Sequence, residues 1–133
     1  MTQIVNKTGF VVDSFAGMRP LTLSHYSGGG ALQLFFDDDL KAVSAHFSTL
    51  KLIVVPFENF ADGRGFSTAA QLRLLGYRGH LRASGHILVD QFRAAQKCGF
   101  DDLEISEEQA IRNPVSQWLA VADHTNYQLR FWT

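Results

Sequence analysis

His80-Leu81-Arg82-Ala83-Ser84 decides the fold of this chain, because polar and apolar residues alternate along it at the two-residue period of a strand buried on one side. Asp102-Leu103-Glu104-Ile105 repeats the pattern, whereas Leu52-Ile53-Val54-Val55 is apolar on both faces. If Leu81, Ala83, Leu103 and Ile105 pack beneath helices, then His80, Arg82, Asp102 and Glu104 share the opposite face, where Arg82 and Glu104 are placed to pair. A doubly wound sheet would cover that face and leave costly charges inside. A half-barrel of βα units would instead leave it lining a wet pocket or a subunit interface. The expected fold is therefore α/β: a single domain of repeated βα units with a mainly parallel sheet, half-TIM-barrel-like, with an open flavodoxin-like sheet as the alternative.

Outward from that strand, runs of strand and helix character alternate. Ala31–Phe36 precedes a helix over Asp39–Thr49, and Leu52–Phe57 precedes one over Ser67–Leu75. His80–Ser84 precedes a helix over His86–Cys98, and Leu103–Ile105 one over Ser106–Arg112. A further helix is expected over Pro114–Ala122, with Asn113 as its cap and proline in its first position, and Tyr127–Trp132 as a closing strand. Leu40, Val43, Phe47 and Leu50 fall on one helical stripe, as do Ala69, Leu72 and Leu75, and Val115, Trp118, Leu119 and Ala122. Residues 1–30 read as a peripheral β-hairpin around Asn6-Lys7-Thr8-Gly9 and a loop-rich connector, and residues 31–133 as the βα core. Right-handed crossovers make the central strands parallel and gather the loops after them at one rim, where α/β proteins bind ligands.

At 133 residues the chain suits one domain. A formal net charge of -1 provides no field to attract nucleic acid or an anionic membrane. No apolar run reaches the roughly 18 to 20 residues of a membrane span, and Met1–Lys7 lacks a secretory core, so a soluble cytoplasmic protein is the default expectation. Cys98 is the only cysteine, which excludes an internal disulfide or a cluster held by one chain. On the helix expected from His86 it falls on an apolar side, so the reading is a buried small residue rather than a redox thiol. His25, His46, His80, His86 and His124 show no zinc-like spacing, and no metal or cofactor is expected. Asp37-Asp38-Asp39 is read mainly as acidic support for a helix start.

The rim loop Phe60-Ala61-Asp62-Gly63-Arg64-Gly65-Phe66-Ser67 carries the first ligand candidate. Two glycines let the backbone bend and approach a ligand, Arg64 offers five donors, and Ser67 is placed to cap a helix whose free N–H groups attract anions. The candidate ligand-binding residues are Asp62, Gly63, Arg64, Gly65, Ser67, Arg82 and Asp90. Arg64 and Arg82 would hold a small oxyanion such as sulfite, sulfate or phosphate, with Asp62 orienting Arg64 or capping the loop. The same residues also suit a tight turn and a buried Asp90–Arg82 bridge. No catalytic residue is identified.

Taken in order, Phe60-x-Asp62-Gly63-Arg64-Gly65-Phe66-Ser67-x-Ala69-x-x-Leu72-Arg73, then Gly76-Tyr77-x-Gly79-x-Leu81-Arg82-Ala83-x-Gly85-x-x-Leu88-x-Asp90-Gln91, then Cys98-Gly99-Phe100-Asp101, resemble the bacterial domain of unknown function 934. The joint order of three motifs is more specific than any one of them. Members of that family are often labelled as oxidoreductases of sulfite reduction and commonly encoded beside sulfite reductase. The resemblance thus implies an accessory protein of assimilatory sulfite reduction, binding a small oxyanion or serving as a non-catalytic partner or assembly subunit of sulfite reductase. A homodimer in which two half-barrels close on each other suits either role.

Overall fold

A computed structural model describes residues 2–59 and 63–124 of the chain. The central strand is the doubly apolar run, β5 (Leu52–Phe57), with β4 (Ala31–Gln33) on one side and β6 (His80–Gly85) on the other. The described sheet has seven strands in the order β2-β1-β7-β6-β5-β4-β3, adding β1 (Thr2–Asn6), β2 (Gly9–Val11), β3 (Leu21–Thr22) and β7 (Asp102–Ser106). From β3 to β7 each strand pairs in parallel with its sequence neighbour. The hairpin β1–β2 joins antiparallel through β1 and β7, so the first thirty residues contribute three strands and are less peripheral than their composition suggests.

Successive right-handed crossovers in one direction deliver every helix to the same face, and this order has no reversal at which a doubly wound sheet would change sides. The helices are α1 (Leu40–Ser44), α2 (Arg64–Leu74), α3 (Phe92–Lys97), α4 (Glu107–Arg112) and α5 (Val115–Val121). Val43, Ala69, Leu72, Phe92, Ala95 and Trp118 from four of them form one core with Ile53, Val55, Leu81, Ala83, Leu103 and Ile105. The half-barrel-like arrangement follows from that one-sided packing.

Helix ends depart from the periodicity in places where a local bond decides. Asp39 accepts from the Lys41 N–H at 3.0 Å and starts α1, which gives way to turns after Ser44. Ser106, expected as the first helical residue, instead caps α4, accepting from the Gln109 N–H at 3.1 Å. Pro114, not Asn113, is the cap of α5. The helix expected from His86 begins only at Phe92, after a 3-10 turn over Val89–Gln91, because Gly85 at φ +120° and the His86 N–H bond to the Phe57 carbonyl at 3.0 Å hold the chain extended past the strand. The closing strand expected over Tyr127–Trp132 lies outside the described residues.

The polar face is not left to water or to a partner over its whole extent, as the half-barrel reading anticipates. The connector crosses it. Phe15 and Met18 pack on Ala31, Leu52 and Val54, and the Phe15 ring stands 4.8 Å from that of His80.

Candidate functional site

At the rim, α2 starts at Arg64, with Gly63 at its cap position and no side chain capping it. Ser67 therefore sits one turn inside the helix and is not the cap expected from the sequence. The reason is Gly65: it is buried, and a Cβ there would overlap the Phe57 ring, so this glycine lets the helix lie directly on β5 rather than form a loop. The Arg64 guanidinium stands 4.2 Å from the centre of the Phe36 ring. Arg64 and Ser67 line a cleft of about 280 Å³ together with Phe35, Phe36, Asp38, Leu40, Thr68 and Gln71. Asp38 is anchored there by accepting from the Phe35 N–H at 2.9 Å. Gly63, Arg64, Gly65 and Ser67 are thus brought together, and Asp62 lies outside the described residues.

Arg82 belongs elsewhere. Its neighbours Leu81 and Ala83 point into the helix-covered core, so Arg82 projects from the opposite face of the sheet to the one that carries α2. It is 3% exposed, Nε donates to Asp102 Oδ1 at 2.8 Å, and Nη2 donates to Asp102 Oδ2 and Asp13 Oδ1, each at 3.0 Å. The partner expected on sequence grounds, Glu104, instead accepts from Ser84 at 2.9 Å and Thr2 at 3.1 Å. Register explains the difference, since Arg82 lies directly across from Asp102 in the parallel ladder. His80 Nε2 also bonds Asp102 Oδ2, at 2.8 Å. Arg82 is consequently a structural cation and does not reach the cleft of Arg64.

Burial by itself would raise the Asp13 carboxyl, but hydrogen bonds from Arg82 and the Phe15 N–H, with the charges of Arg82 and His80, outweigh it and hold the group below its ordinary value. A depressed carboxyl contributes stability that is present above its unfolded pKa and lost as pH falls through the folded one. Asp13→Asn should therefore be less stable than the native chain at neutral pH. The gap should close as the medium is acidified below the usual carboxylate range. Urea unfolding midpoints of both proteins across that range check this, and a pH-independent gap would contradict it.

Asp90 is exposed on the 3-10 turn Val89–Gln91 and is not the carboxylate that bridges Arg82. Cys98 caps the C-terminal end of α3, half-buried against the core, and burial pushes its thiol pKa up, which keeps it protonated and poorly nucleophilic. Among the described residues no group of three His, Cys, Asp or Glu side chains is arranged to hold a metal ion, and no helix is long and apolar enough to cross a membrane.

The sequence model of the family described as "Bacterial protein of unknown function (DUF934)" matches residues 31–131, most of the chain. The chain belongs to that family. No curated protein and no solved structure matches it. For this DUF934 chain, the residues of the three sequence motifs divide sharply by location. Much of what they contain holds the fold. Arg73 is buried at the opposite end of α2 from the cleft, where it donates to the carbonyls of Gly99 (2.6 Å), Tyr77 (3.0 Å) and Gly79 (2.9 Å) and to Asp101 (3.0 Å). Asp101 in turn accepts from the Leu81 N–H at 2.8 Å, tying α2, β6 and the start of β7 together. Arg82, Gly65 and Gly85 are likewise accounted for by packing. Arg64 and Ser67 are exposed, and these two motif residues open onto a cleft. The cleft residues missed in the sequence, Thr68 and Gln71, each lie four positions along α2 from Arg64 and Ser67 respectively, a spacing that becomes visible only once the helix is known to start at Arg64.

Proposed function

We propose that this chain is an accessory protein of assimilatory sulfite reduction that binds a small oxyanion, such as sulfite or sulfate, in the cleft beside the start of α2. The observation that carries the ligand half of this reading is the side-by-side lining of one cleft by Arg64, Ser67 and Thr68, a guanidinium and two hydroxyls at the N-terminal end of an eleven-residue helix. The sulfite half is supported by the resemblance in the rim, β6 and Cys98–Asp101 motifs. Calorimetric titration with sulfite, sulfate and phosphate tests the site: binding at millimolar concentration or tighter is expected for the native chain, weakened at least fivefold in Arg64→Ala. No heat from any of the three anions would reject it.

A second reading is a non-catalytic partner or assembly subunit of sulfite reductase. It is favoured by Leu88 and Ile111, 42% and 77% exposed, since exposed aliphatic side chains are what a protein partner covers. On this reading the native chain co-sediments with purified sulfite reductase and Ile111→Lys does not. Separate sedimentation of the native pair would exclude it.

A further inference from the structure

The cleft at Arg64 continues along α2. A second cleft of about 500 Å³ shares Asp38, Leu40 and Gln71 with it and adds Asp39, Lys41, Leu74 and Leu75, so the two form one groove between α2 and the segment that leads from β4 into α1. One wall is a single helical stripe: Arg64, Ser67, Thr68, Gln71, Leu74 and Leu75 recur at the three- and four-residue spacing that stacks side chains on one face. Its polarity is graded. A guanidinium and two hydroxyls stand at the start, an amide in the middle, and two leucines at the end that are 76% and 43% exposed. At 1.5 Å per residue the stripe from Arg64 to Leu74 runs roughly 15 Å, room for a charged head followed by several methylenes.

We infer that the groove takes an organic monoanion, an oxyanion head of the sulfonate or carboxylate type at Arg64, Ser67 and Thr68 with a short alkyl chain laid along Leu40, Leu74 and Leu75. This deepens the oxyanion reading of the same cleft and rests on it. Asp38 sets the charge of the head. It lines both parts of the groove, and with Asp39 and Lys41 in the second part the acids there outnumber the bases by one, so a dianion gains from Arg64 but is repelled at the next position, and a single negative charge is the better match. The chain supplies the affinity that a surface guanidinium lacks, since each methylene taken out of water is worth up to roughly fourfold in binding.

Calorimetry with butanesulfonate, octanesulfonate, octyltrimethylammonium and inorganic sulfite tests the inference on the native chain, Arg64→Ala and Leu74→Ser. Both replaced side chains are exposed, so the fold is retained in each variant. Octanesulfonate is expected to bind at least tenfold tighter than butanesulfonate or sulfite. Arg64→Ala and Leu74→Ser should each weaken octanesulfonate at least fivefold, and Leu74→Ser should leave sulfite binding unchanged. If sulfite binds but chain length and Leu74→Ser have no effect, the inference is overturned while the oxyanion cleft stands. If neither sulfite nor the sulfonates bind, both fall. Equal binding of octyltrimethylammonium would also overturn it, since the head would then contribute nothing.

Discussion

Arg82→Met is expected to destabilise the domain by about 3 kcal/mol, within the range of roughly 3 to 5 kcal/mol that follows when one member of a buried ion pair is removed. The loss comes from what remains. Asp102 is 5% exposed and would be left buried with its bidentate partner gone. His80 would still bond Asp102, and Asp13, whose side chain is 29% exposed, can turn to water, which places the effect toward the lower end of the range. The companion variant separates a broken pair from lost packing: Arg82→Met combined with Asp102→Leu should recover most of the stability, because no fully buried carboxylate is left without its guanidinium. Urea unfolding with an unchanged slope reads both values. Equal destabilisation in the single and double variants would show that the guanidinium acts through its packing against Phe15, 5.7 Å away, and not through its charge.

Gly85→Ala should be the most damaging single methyl in the chain. Gly85 holds φ at +120°, a region that costs a residue with a Cβ about 1 to 3 kcal/mol, and the added carbon would overlap the Phe57 carbonyl oxygen. That oxygen cannot yield easily, since it accepts the His86 N–H and belongs to the central strand. A total of about 3 kcal/mol or more corresponds to a fall in Tm of roughly 10 °C or more for a domain of this size. A fall below about 3 °C in calorimetry would mean that the strand end relaxes freely. Gly63, exposed with nothing within 4 Å of an added Cβ, provides the contrast: Gly63→Ala should leave Tm nearly unchanged.

The contrast between these glycines also explains what the sequence could and could not convey. The alternation in His80–Ser84 and Asp102–Ile105 marks one buried and one polar face because a strand's period is strict, and the one-sided helix layer follows from it. Ser106 and Asp39 were readable as helix starts, since a capping side chain acts within three residues of itself. Pairing across strands is different. Whether Arg82 faces Asp102 or Glu104 depends on the stagger of two strands joined through α3, and nothing local encodes that stagger. Gly63-Arg64-Gly65 resembled a loop because glycine has two uses, freedom of the backbone and absence of a side chain, and only the position of the Phe57 ring reveals that Gly65 serves the second. For the same reason the candidate site was half legible: Arg64 and Ser67 are near in the chain, while Arg82 was assigned to them through an assumed meeting of distant segments.

The outermost strands have a consequence for the behaviour of the protein at high concentration. β3 is two residues long and follows Pro20, which lacks an N–H, and β2 is three residues long, so among the described residues neither flank offers an extended row of unpaired amides and carbonyls to a neighbouring molecule. A chain whose middle strands are this apolar would be at risk of stacking edge to edge into fibrils if those strands lay at a border, and here they are enclosed on both sides.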